Sequence, residues 1–400
     1  MRYSLAGFAC ICSLGTACGD KPTAAGDPEL AQGGQPGLVA DGRTIFRFDT
    51  YGNETFWTDT LRMDSIITAD VTPEVALAVG LKVDVDALPA ALRAALAAGD
   101  VPLNSTASTI TLLKLDAVVG LKAQVDANDQ LIRIGTTCAL CHSTVDNSFA
   151  PGIGRRLDGW PNLDLDPGRI IALSPAVAAS AGVYNSWGPG MYDPRFNLDD
   201  INGPVVIPPA YGLKGVHSVT YTGDGDELAY WNRYVAVTQM RGHGSFSEAR
   251  TGVSEDNPPD LVTAKLPALQ QYQLSLAAPR APADSFDRAA AGRGRAVFVG
   301  AGRCATCHSG AELTDANIRL HAPSEVVSEP EPGGVPSYAS RSATKLYRTT
   351  PLRALVLRSP YFHNGIAPTL EAVVDLYDSR KGLNLTAQQK ADLVQYLRSL

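Results

Sequence analysis

Cys138-Ala139-Leu140-Cys141-His142 recurs as Cys304-Ala305-Thr306-Cys307-His308. Both stretches read Cys-x-x-Cys-His, the attachment pattern of c-type haem. On one helical turn, positions i, i+3 and i+4 share a face. Two thiols can therefore add to the haem vinyl groups while the imidazole reaches the iron as proximal ligand. A single copy would leave room for a redox Cys-x-x-Cys or half a zinc site. Two copies in a chain that starts like an exported one point to two covalently bound c-type haems, with His142 and His308 on the irons.

Outside these motifs the ligand inventory is small. The other three of the seven Cys are Cys10, Cys12 and Cys18, so nothing remains downstream for a structural disulfide. The six His are 142, 217, 243, 308, 321 and 363, and the four Met are 1, 63, 191 and 240. At 400 residues the chain is long enough for two or three domains. A net charge of −7 argues against a nucleic-acid partner. No stretch of about twenty apolar residues follows the N-terminus, so no transmembrane helix is expected there.

Residues 1–18 read as a signal peptide: Arg2, an apolar run from Leu5 to Ala17, then Cys18. Leu14-Gly15-Thr16-Ala17-Cys18 is an imperfect lipoprotein box, which would anchor a periplasmic protein to the outer membrane through a lipid on Cys18. Ordinary cleavage nearby is the alternative. Residues 19–43, rich in Gly, Pro, Ala and Gln, read as a flexible tether. The first haem domain is expected over 44–253, a linker with a short helix over 254–284, and a second haem domain over 285–400.

Within these bounds, 73–99 reads as helical and 110–134 as a β-hairpin around Asp126-Ala127-Asn128-Asp129. Leu228 to Met240 and Ser285 to Val299 read as helices. Thr386-x-x-Gln389 is a capping box opening a final helix with Leu393, Val394, Leu397 and Leu400 on one face. The fold class is mainly α: two cytochrome c-like domains, each with one haem, behind an N-terminal extension bearing the hairpin. Arg155 and Arg156 are candidate partners for haem propionates, against the reading of a solvated basic pair.

Arg348-Thr349-Thr350-Pro351-Leu352-Arg353, Ser359-Pro360-Tyr361-Phe362-His363-Asn364-Gly365 and Thr369-Leu370-Glu371 resemble the bacterial di-haem cytochrome c peroxidase and MauG superfamily, which includes the rubber oxygenases. The resemblance is strong over about 285–400 and weaker over 135–245. It implies a distal ligand fourteen residues after His363. Ordinary peroxidases carry Met there, and MauG-like members are similar to this chain in carrying Tyr, here Tyr377. Leu370, Val373, Val374 and Tyr377 fall on one helix face, so a core tyrosine is the alternative. A phenolate ligand would stabilise the higher oxidation states of the iron, where Met raises the potential. His363 resembles the superfamily histidine that supports this site without ligating, and His321 is the fallback axial ligand.

For the first haem, Met191, His217, Met240 and His243 are the candidate sixth ligands, and an open position is favoured. Tyr221 matches the superfamily's bridging Trp, with Trp231 or Trp187 as back-up electron relays. Gln239 falls near its distal Glu but cannot take a proton as a carboxylate would. His243 is then a spare acid/base, and loop packing is the rival reading for Tyr221, Gln239 and His243. The resemblance also implies an interdomain calcium around Pro360, whose Asn ligand has no obvious counterpart. The activity it implies is an oxidoreductase using hydrogen peroxide or O2, with a small cytochrome, a cupredoxin or a protein substrate as partner. The rival readings are a pure electron-carrying di-haem cytochrome and a rubber-oxygenase-like dioxygenase, for which the aromatic-rich 44–62 could line a channel.

Overall fold

The computed structural model describes residues 36–400 except Asp226; the proposed signal peptide and the lipid-anchor residue Cys18 lie outside the described residues. Helices dominate, with short two-stranded sheets between them. Helix α1 (Pro36–Phe48) begins inside the stretch read as a tether. Residues 73–99 are not one helix. They form α2 (Pro73–Ala78), started by Thr72 accepting from the Val75 amide, and α3 (Ala90–Ala98), which starts after Pro89 and ends on Gly99. Pro89 has no amide hydrogen to continue a helical ladder, which makes it a natural break.

Helix α4 (Thr106–Lys114) takes the residues read as the start of the hairpin. Strands β1 (Leu121–Val125) and β2 (Leu131–Thr136) then pair antiparallel. Their turn is closed by Asp126 Oδ1, which accepts from the amides of Asn128 and Gln130 at 2.8 Å each. Helix α5 (Ala139–His142) carries the first haem motif. Strands β3 (Met191–Tyr192) and β4 (Val205–Val206) pair antiparallel. Helix α6 (Leu228–Tyr234) runs on as a π-helical turn, Val235–Gln239, followed by the hairpin of β5 (Gly244–Glu248) and β6 (Val253–Asn257).

Helix α7 (Leu266–Ser275) lies in the stretch read as a linker, yet Leu266, Leu269 and Tyr272 are buried. It packs on α1, where the Phe46 and Tyr272 rings meet edge to face at 5.5 Å. Each such apolar side chain stabilises the fold by roughly 1.5–3 kcal/mol, so α7 is core.

The C-terminal unit closes α8 (Arg288–Val299), α9 (Leu370–Lys381) and α10 (Ala387–Arg398) around Phe298, Leu370, Val374, Leu393, Val394 and Leu397. Asp287 caps α8 by accepting from the Ala290 amide at 2.8 Å. Thr386 and Gln389 form the capping box of α10. The α8–α10 crossing needs Gly294: a Cβ there would sit 2.0 Å from the Asp392 carbonyl oxygen. A buried seam joins the two units. Arg341 pairs with Asp193 at 3.0 Å and Asp199 at 2.8 Å, and Arg195, itself paired with Asp224 at 2.6 Å, donates across to the Arg341 carbonyl at 3.0 Å. Breaking such a buried pair leaves a bare charge and costs about 3–5 kcal/mol. Among the described residues, no helix is long and apolar enough to cross a membrane.

Candidate functional site

Two cavities hold the two motifs. The first, about 300 Å³, is lined by Cys138, Cys141 and His142. The β1–β2 hairpin delivers α5 to it. The Thr137 amide donates to the Gly120 carbonyl at 2.9 Å. Gly120 has φ +83°, and a Cβ there would meet the Leu140 backbone at 2.1 Å; only glycine lets the chain approach so closely. His142 Nδ1 lies 3.1 Å from the Pro208 carbonyl oxygen. A proton on Nδ1 completes that bond and leaves Nε2 bare for a metal. Burial pushes this imidazole down to about 4, against the pull of the carbonyl, so it is neutral at pH 7. Burial pushes both thiols up to about 12.

The same cavity is lined by Tyr192, Gln239, Trp231 and Trp187, and by Phe56 and Trp57 of the aromatic-rich N-terminal segment. The Tyr192 hydroxyl donates to Gln239 Oε1 at 2.8 Å, and Gln239 Nε2 donates to Thr238 Oγ1 at 2.9 Å. Gln239 ends the π-helical turn, a distortion that recurs at functional sites. Trp231 stacks on Tyr234 at 4.7 Å. Of the four candidate sixth ligands, Met240 lines the cavity, and Met191, His217 and His243 do not. His243 sits outside, with Nδ1 3.0 Å from the Pro258 carbonyl and Nε2 3.4 Å from the Thr55 hydroxyl. The expectation of a spare acid/base there gives way to a loop-bracing histidine.

The second cavity, about 520 Å³, is lined by Cys304, Cys307, His308 and Tyr377. Its motif is a 3₁₀ turn, Cys304–Thr306, running into Cys307 and His308. His308 Nδ1 lies 3.0 Å from the Leu313 carbonyl, and burial pushes this imidazole down to about 4. Tyr377 shares its cavity-facing side with Leu370, Val373 and Val374, as the helical spacing requires. Its hydroxyl makes no hydrogen bond among the described residues. Burial, then the Cys304 and Cys307 thiols, push its ionisation up. His321, the fallback ligand, also lines the cavity, but its Nε2 is engaged at 3.2 Å by Asp315 and at 3.0 Å by Thr349. His363 lines it too, with Nε2 2.5 Å from Glu331 Oε1.

Tyr221, Val206, Ile207 and Pro209 line both cavities and form their common wall. Arg348 and Arg358 line the second cavity, and both act electrostatically on Tyr221. Each has a buried Nε without a partner among the described residues. Arg348 otherwise donates to the Ser218 carbonyl at 2.7 Å, and Arg358 to the Pro351 carbonyl at 3.0 Å. Burial pushes the Arg348 guanidinium down to about 10. A buried guanidinium without a carboxylate is costly, and haem propionates would complete it. Arg155 and Arg156 do not serve here. Arg155 is exposed, and Arg156 pairs with Asp84 at 3.0 Å outside both cavities. Arg348 stands at the head of the Thr-Thr-Pro-Leu-Arg stretch, a cue in the sequence that the isolated Arg-Arg pair obscured. Thiol pairs, neutral imidazoles with a bare Nε2 and unpaired guanidinium nitrogens together fit covalently held c-type haem.

No family model matches the chain. The chain is similar to the methylamine utilization protein MauG of Methylorubrum extorquens, 32% identical over 157 residues that cover 33% of this chain and 42% of that protein. It is also similar to the cytochrome c551 peroxidase of Pseudomonas aeruginosa, 28% identical over 149 residues, covering 33% of this chain and 42% of that one. The matches thus span less than half the length of these curated relatives. A solved MauG-like protein associated with microbial copper homeostasis superposes on 49% of this chain and 73% of its own, with TM-score 0.34 and 20% identity, too loosely to carry an argument. The curated relatives bear out the resemblance of this chain to the di-haem peroxidase and MauG proteins.

Proposed function

We propose that the chain is a periplasmic di-haem oxidoreductase that reacts with peroxide at the first cavity and shares the oxidising equivalents with the second. The observation that carries this reading is the common wall: two cavities with the same thiol–thiol–imidazole set meet at Tyr221. A c-type haem in each supplies an iron able to change oxidation state. The rest falls to the chain. His142 and His308, oriented by the Pro208 and Leu313 carbonyls, would hold the irons through Nε2. Gln239 presents an amide, held by Tyr192 and Thr238, that can donate to or accept from a bound peroxide. It cannot hold the peroxide proton as a carboxylate would, so this distal side favours orientation over rapid proton transfer. Tyr377 would offer an uncommitted oxygen donor to a haem in the second cavity, and Arg348 and Arg358 would bind its carboxylates.

The donor would be a small cytochrome, a cupredoxin or a protein substrate. One observation favours a second reading, an electron carrier with both irons capped: Met240 is buried and lines the first cavity. EPR of the purified di-ferric protein, followed by peroxide titration, separates the two. A high-spin signal beside a low-spin one, and peroxide consumed with loss of the ferric signals, supports the oxidoreductase. Two low-spin signals and no reaction with peroxide overturn it in favour of the carrier.

A further inference from the structure

Four rings bridge the cavities behind the common wall. Tyr338 lines the first cavity and stacks on His363 at 6.0 Å and 27°. Tyr221 lies 6.2 Å from His363, and Tyr347 lies 4.8 Å from it. Tyr347 and His363 line the second cavity. An oxidising equivalent shared between the cavities thus has three tyrosines within reach, and their surroundings differ in one respect. Removing an electron from a tyrosine makes its phenol strongly acidic, so the hole rests where the proton has somewhere to go.

Tyr221 has no such place. Its hydroxyl has no hydrogen-bond acceptor among the described residues, and Arg348 and Arg358 act on it. Tyr338 faces the Arg195 guanidinium, 5.1 Å above its ring. Tyr347 differs: its hydroxyl donates to Glu329 Oε1 at 2.6 Å. The same oxygen of Glu329 accepts from Ser337 at 2.5 Å, and the Ala339 amide donates to the phenol oxygen at 3.2 Å. His363 Nε2 sits 3.2 Å from that phenol oxygen and 2.5 Å from Glu331. Among the tyrosines lining the two cavities, Tyr347 is the one whose hydroxyl donates to a carboxylate. At 3% exposure it is also shielded from solvent.

We infer that Tyr347 is a redox-active tyrosine that stores one oxidising equivalent beside the second cavity, with Glu329 as its proton acceptor. The step balances. One electron leaves Tyr347 for a one-electron oxidant in the cavity, generated by peroxide under the function proposed above. The phenol O–H bond breaks and its proton passes to Glu329, leaving a neutral phenoxyl beside a neutral carboxylic acid. Return of one electron from the donor sends the proton back. Tyr221 and Tyr338 then serve as transit points.

The test is freeze-quench EPR of the holoprotein after peroxide, with tyrosine ring-deuterated in a parallel sample. A radical signal that narrows on deuteration, disappears in Tyr347→Phe, collapses in Glu329→Gln and, though formed more slowly, keeps its line shape in Tyr221→Phe is the expected result. A signal that survives Tyr347→Phe, or peroxide consumed with no tyrosine radical, overturns the assignment while leaving the peroxide reading intact. If peroxide leaves the haem absorption unchanged, the peroxide reading fails. The same variants are then compared after flash-quench oxidation by tris(bipyridine)ruthenium(III), where a radical absent from the wild type or indifferent to Tyr347→Phe overturns the assignment on its own.

Discussion

In the first cavity Tyr192, Gln239 and Thr238 close a hydrogen-bonded run. The second cavity leaves groups open. Among the described residues, the Tyr377 hydroxyl is uncommitted and the Nε atoms of Arg348 and Arg358 are buried without partners. Yet both begin from the same Cys-x-x-Cys-His pattern, and both fix their histidine by the same Nδ1-to-carbonyl bond. The attachment motif therefore sets what is bound, and the surrounding shell sets what each site does with it. A closed polar run suits an exchangeable small ligand, whereas open donors and buried cations suit a permanently ligated, charge-storing centre.

The strongest way to break this comparison is to remove one motif at a time. Cys138→Ala with Cys141→Ala should leave one haem by mass spectrometry and abolish reaction with peroxide. Cys304→Ala with Cys307→Ala should also leave one haem but keep a peroxide-reactive iron. If peroxide reactivity follows the second pair instead, the assignment of roles is reversed. Tyr377→Met comes next. It should raise the potential of the second haem alone by a sizeable part of the ~0.8 V that axial ligands span, read by spectroelectrochemistry. Unchanged low-spin spectra of that haem would remove Tyr377 from the iron.

Arg348→Gln should lower the same potential, because losing a nearby cation favours the more positive ferric state. At an effective dielectric near 20 the expected shift is on the order of 1–2 kcal/mol, and the first haem should not respond. Gly294→Ala sharpens the comparison from the side of stability. Forcing a Cβ to 2.0 Å from the Asp392 carbonyl should cost about 1–3 kcal/mol, lowering the melting temperature while leaving the first haem's spectrum unaltered.

The smallest expected effect is an acid transition local to the second cavity. Burial is the largest single influence on the Glu331 carboxyl and raises it, but the hydrogen bond and electrostatic pull of His363, with the hydrogen bonds from Asn364 and the Tyr338 amide, together hold it below the ordinary range. A depressed carboxylate contributes stability that is present above its unfolded value and lost as pH falls through the folded one. The Glu331–His363 contact should therefore weaken below about pH 4, seen as a spectral change confined to the second haem and absent in Glu331→Gln.

The two pentapeptides, the capping box at Thr386 and the apolar face of α9 were legible because each is a local pattern: a fixed spacing on one helical turn or face. The same holds for the turn at Asp126, whose side chain bonds its own backbone. Long-range pairing was not legible. Arg155 and Arg156 looked available for propionates because a sequence shows charge but not partners, and Asp84 claims Arg156 from 72 residues away. His243 looked like an acid/base until the fold turned it to Pro258. The stretch read as a linker buries α7 because its partner, α1, lies more than 200 residues earlier. By itself, then, the sequence determined the cofactor chemistry and the helical frame, since both rest on neighbours within a turn or two. Only the tertiary structure decided that Tyr221 stands in the common wall, that the Nε atoms of Arg348 and Arg358 lack partners among the described residues, and that Tyr347 meets Glu329. Those facts depend on which distant side chains share a low-dielectric space, and local spacing carries no record of that.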